Sequence, residues 1–79
     1  MIMMKLLAQI DTFREVMMKE VAEGYVVEIN DTDGMPLELD KLLDELEEQC
    51  LGIIDGHEFG YSFVFDGFEV AVLFVGDYD

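Results

Sequence analysis

Residues 3–22, MMKLLAQIDTFREVMMKEVA, set the architecture expected of this 79-residue chain. Met3, Leu6, Leu7, Ile10, Phe13, Val16, Met17 and Val21 recur at steps of three and four. That spacing lines one face of an α-helix. Asp11, Arg14, Glu15 and Lys19 fall on the other side, and Glu15 precedes Lys19 by four residues, a favourable helical pair. Met4, Met18 and Ala22 widen the apolar stripe to a breadth suited to lying across a sheet. Gly24 suits the stop. The expectation is one amphipathic helix over residues 3–22.

Downstream, YVVEI (residues 25–29) is β-branched and aromatic and reads as a strand, followed by a turn at NDTDG. Leu39, Leu42, Leu43, Leu46 and Cys50 give a second helical stripe that ends by Gly52. Pro36 suits its first position. A short strand over 35–39 with a later helix start is the alternative. In the last third, EFGYSFVF and FEVAVLFV flank Asp66-Gly67, a signal for a two-residue hairpin. Its register would pair Phe65 with Phe68, Phe63 with Val70, Tyr61 with Val72 and Phe59 with Phe74, all on one core-facing side. The opposite side carries Glu58, Gly60, Ser62, Val64, Glu69, Ala71, Leu73 and Val75, wet near the turn and apolar near the open end. The chain is therefore expected to be a single α+β domain over residues 1–79, ordered helix-strand-helix-strand-strand, with the antiparallel C-terminal hairpin packed against two helices.

At 52% hydrophobic residues and a mean hydropathy of +0.25, the chain is too apolar for a disordered acidic tail. Cys50 is its only cysteine, so an internal disulfide is excluded. The opening MIMMKLLAQI carries one lysine and no small-residue cleavage site, a poor signal peptide and too short for a membrane span. A cytoplasmic protein is expected.

Catalytic and metal motifs are weak. With Gly34 at the glycine position of a calcium-binding EF-hand loop, Asp31, Asp33 and Asp40 fall on ligand positions. Ile29 then stands where the first acid is needed, and a strand replaces the entering helix. An Asx-type turn explains NDTDG better. His57, beside Asp55 and Glu58, is the only histidine, too little for a metal site. Cys50, near the C-terminal end of an acidic helix, is better read as core than as a nucleophile. Ser62 has no motif around it, the glycines form no phosphate-binding fingerprint, and the methionines of the first helix read as core fillers rather than a binding groove. Neither a cofactor nor an enzymatic activity is expected.

Charge is the strongest signal. Nineteen acids face four bases, a net of −15, where about 2–8 suffices to keep a small domain soluble. Residues 1–19 carry +1 and residues 20–79 carry −16, with Lys41 their only base. The second helix offers Asp40, Asp44, Glu45, Glu47 and Glu48. Asp31 and Asp33 of the turn and Asp77 and Asp79 of the tail extend the acidic set. Ordinary solvated faces interleave both signs, whereas on this one Lys41 is the only relief.

In size, acidity and α+β make-up the chain resembles the small acidic inhibitors of phages and mobile elements: DNA-mimic anti-restriction proteins, uracil-DNA glycosylase inhibitors and some anti-CRISPR proteins. No motif is shared, so no residues carry over. The resemblance implies a non-catalytic protein that docks its carboxylates on the basic nucleic-acid-binding groove of a host defence or DNA-processing protein. The partner would be a nuclease complex or similar protein, with no direct contact to nucleic acid or membrane and with homodimerisation left open. Two other classes fit the charge: an acidic antitoxin or immunity protein against a basic toxin, and a structural or oligomeric domain from a salt-adapted organism.

Overall fold

The computed structural model describes residues 2–76; Asp77 and Asp79 of the predicted tail lie outside the described residues. The elements run α1 (Ile2–Ile10), β1 (Val16–Val21), β2 (Gly24–Ile29), α2 (Leu37–Gln49), β3 (Gly52–His57), β4 (Gly60–Phe65) and β5 (Phe68–Phe74). The five strands form one mixed sheet in the order β1-β2-β5-β4-β3, with β2 and β5 parallel and the other neighbours antiparallel. The domain is α+β, but the expected element order is wrong: two strands, β1 and β3, were missed.

The first correction falls on residues 3–22. The helix stops at Ile10, where the Thr12 amide and hydroxyl both bond the Gln9 carbonyl, at 3.1 and 2.6 Å. After a turn the chain returns as β1 and pairs with β2 through the two-residue turn Ala22-Glu23. A 20-residue helix would measure about 30 Å, half as long again as six- or seven-residue strands of about 20 Å. As a strand, VMMKEV instead saturates the free edge of β2 and sets Val16 and Met18 against the core. The expected Glu15–Lys19 helical pair is replaced by a cross-strand bridge, Lys19 Nζ to Glu28 at 3.2 Å. Gly24 is no helix stop. It opens β2 with φ 146°, and a Cβ there would strike the Glu69 backbone, so only glycine lets β2 lie against β5.

The second correction lies after α2. The helix does start early, at Leu37 behind Pro36, and ends at Gln49. Gly52 then opens β3, which turns through Glu58 and Phe59 into β4. The Asp66-Gly67 hairpin has the expected register at Phe65–Phe68, Phe63–Val70 and Tyr61–Val72. Phe59 is the exception. The backbone continues the register, Phe74 N–H donating to the Phe59 carbonyl at 2.8 Å, but Phe59 belongs to the β3–β4 turn and is 59% exposed.

Alternation sorts the sheet into two faces. Val27, Ile29, Phe63, Phe65, Val70 and Val72 form the buried inner face, covered by Leu6, Leu7 and Ile10 of α1 and Leu39, Leu43 and Leu46 of α2. The outer face presents Met17, Lys19 and Val21 of β1, Gly24, Val26 and Glu28 of β2, Glu69, Ala71 and Leu73 of β5, Gly60, Ser62 and Val64 of β4, and Gly52 and Ile54 of β3. No described element covers it. Ser62 alone is buried there, a small side chain paired between Ala71 and Ile54.

Candidate protein-interaction surface

α2 owes its helix to a strict apolar stripe, and its charges fill every remaining direction. Asp40, Asp44, Glu45, Glu47 and Glu48 are all exposed, and from Asp40 to Glu48 they extend about 12 Å along the axis. Their distribution around the helix is uneven. At about 100° per residue, Asp40, Asp44 and Glu47 fall within about 60° of one another, on one flank of the Leu39–Leu43–Leu46 stripe. Glu48 lies opposite the stripe beside Lys41, and Glu45 lies on the other flank with Glu38, an exposed acid that the sequence reading left out.

The three clustered acids face Tyr61 of β4. Burial raises the Tyr61 phenol above its ordinary 10, and the negative charges of Glu47, Asp40 and Asp44 raise it further. Beside it, Glu47, Ile53, Asp55, Tyr61 and Phe63 line an open cleft of about 240 Å³ between α2 and β3. Asp55 thus joins the acidic flank. The sequence singled out Asp55 only as a neighbour of His57, because β3 was not recognised as a strand.

The turn acids precede α2 in the segment before Leu37. Asn30 Oδ1 accepts the Thr32 amide at 3.0 Å, and the Gly34 amide reaches the Asp31 carbonyl at 2.9 Å, so this segment is a self-capped turn. Asp33 shares a cleft with Arg14, Glu15 and Asn30. Arg14 offsets part of the turn's negative field, whereas Lys41 is the only base within α2 itself. The structure therefore groups Asp40, Asp44 and Glu47 beside Tyr61 and leaves Glu45, Glu48, Asp31 and Asp33 outside that cluster.

Among the described residues, no group of three or more His, Cys, Asp or Glu side chains is placed to hold a metal ion. Cys50 packs against the core as the C-cap of α2, its Sγ 3.0 Å from the Glu47 carbonyl. No described helix is long and apolar enough to cross a membrane. In comparisons with known proteins, no family model, no curated protein and no solved structure matches the chain.

Proposed function

We propose that this chain is a non-catalytic, cytoplasmic inhibitor that lays the acidic face of α2 on the basic nucleic-acid-binding groove of a DNA-processing or defence protein. The observation that supports the reading is the exposed surface of α2, on which Lys41 is the only base. Five carboxylates stand along about 12 Å of a rigid helix, and no described ion pair engages any of them. B-form DNA presents a charge every ~1.7 Å of axis, so the helix offers a coarser negative track of the same sign. Complementary fields of this kind act chiefly on the association rate.

The test starts with capture of a partner from a nuclease-rich lysate and its identification by mass spectrometry. Reversing Asp44, Glu45, Glu47 and Glu48 to lysine should slow association at least about tenfold at low salt. Reversing Asp11 and Glu15, in the turn after α1, should change it little. Melting curves establish that both variants fold. The reading fails if the α2 reversal leaves affinity and salt dependence unchanged, or if the captured partner binds DNA and this chain together.

A further inference from the structure

We propose that the uncovered outer face of the sheet is a homodimer interface, two copies of this chain packing sheet against sheet. The face is set apart first by its charge. Its fourteen strand positions hold Lys19 against Glu28 and Glu69, a net of −1, while the chain as a whole carries −15. Lys19 and Glu28 also satisfy each other at 3.2 Å at the β1–β2 side, and Glu69 sits at the end nearest the Asp66-Gly67 turn. Between them lies an uncharged centre: Val26, Ala71, Ser62 and Ile54 in one row across four strands, with Val64 above and Leu73 below. Polar groups at the rim and apolar ones in the middle are the ordinary anatomy of an interface.

The occupant follows from complementarity and area. A cationic partner is drawn to the opposite layer, where the acids of α2 stand, and finds almost no field here. A second copy brings a face of the same shape and near-neutrality and keeps both acidic helices pointing outward. Two such sheets pack about 10 Å apart with strands within about 30° of parallel. Five strands at about 4.8 Å spacing and six residues at about 3.3 Å make a face of roughly 24 by 20 Å. Two faces in contact remove about 1,000 Å² from water, the threshold for a specific association. A two-layer domain would become a four-layer particle with helices outside and both sheets within.

Sedimentation of the full chain between about 1 and 500 µM should show a concentration-dependent shift from 9.0 kDa to twice that mass. Raised salt should tighten the dimer, because it screens the repulsion between two anionic copies. The contact of α2 with a basic partner should respond in the opposite direction, so the two readings succeed or fail separately. Leu73→Lys, in the middle of the face, should weaken the dimer at least tenfold. Ile54→Lys does the same from an edge position that is 48% exposed, where folding tolerates charge, and it decides the matter if Leu73→Lys does not fold. Reversal of the α2 acids should leave the dimer intact. A chain that stays at 9.0 kDa throughout the range overturns the proposal, as does a dimer unmoved by Ile54→Lys.

Discussion

Phe59 and Phe63 lie four residues apart in one aromatic run, and alternation alone assigns them to the same face. The structure separates them: Phe63 is 1% exposed in the centre of the core, Phe59 59% exposed in a turn. Truncating each to alanine measures that separation. Phe63→Ala removes a fully buried ring whose neighbour Tyr61 stands edge-on at 5.0 Å, and such deletions cost about 3–5 kcal/mol. At roughly 0.05–0.15 kcal/mol per residue, a domain of this length holds about 4–12 kcal/mol in total. The loss is thus a quarter or more of the whole, and at about 4–8 °C per kcal/mol it lowers Tm by roughly 12–40 °C. Phe59→Ala should stay within about 0.5 kcal/mol. With no tryptophan in the chain, urea unfolding followed by far-UV circular dichroism reads both, and m should not change. Equal losses from the two variants, or a loss below about 1 kcal/mol for Phe63→Ala, would refute the placement of the β3–β4 turn and with it the core.

Two further outcomes test other parts of the structure. Gly60→Ala should destabilise by about 1–3 kcal/mol, because a Cβ there meets the Val72 backbone across the β4–β5 ladder. Gly52→Ala, with nothing within 4 Å, should be close to neutral; the same urea curves compare them. The third concerns Tyr61, whose phenol is raised by burial and then by Glu47, Asp40 and Asp44. Its folded pKa lies above the unfolded value, so its contribution to stability is complete below about pH 10 and is lost as pH rises through the folded value. Absorbance titration in a Tyr25→Phe, Tyr78→Phe background should show a late transition. Asp40→Asn, Asp44→Asn and Glu47→Gln together should bring it earlier while leaving the part due to burial.

Local chemistry was legible where one pattern had no competitor. Asp66-Gly67 between two aromatic runs has one reading, and its three inner pairs follow from it. The leucine stripe of α2 was legible too, although its start was not: a short strand over 35–39 competed with the helix that begins at Leu37 behind Pro36. VMMKEV was not, because apolar residues stand at both helical and alternating spacings, and methionine favours a helix when nothing else decides. What decided was β2, a strand 45 residues from its parallel neighbour β5 and in need of a partner on its other edge, and no short window contains that information. The β1–β2 turn, Ala22-Glu23, also lacks the Asn-Gly or Asp-Gly signature. β3 was hidden for a related reason: GIIDGH is short, glycine-rich and carries a register shift after Ile54. For the surface, the sequence supplied the acids of α2 but not their grouping. The neighbourhood of Asp40, Asp44, Glu47 and Asp55 around Tyr61 depends on β3 and β4 lying beside the helix.

The strand that joins the sheet, β5, is the last of the five described strands in chain order. β5 stands in the middle, bonded to β2 on one side and β4 on the other. Until residues 68–74 are available, the β1–β2 hairpin and the β3–β4 hairpin have no common backbone, and the surface on which the helices rest lacks Val70 and Val72. Each hairpin can form early, on the microsecond scale, but their joining waits on a pairing between segments some 45 residues apart, whose loop-closure entropy must be met before the contact forms. During synthesis, therefore, residues 68–74 must emerge before the two hairpins can be joined. Shortening the polypeptide at residue 67 would leave two separate ribbons with open apolar edges, a species fit for proteases and aggregation rather than a smaller version of the same domain.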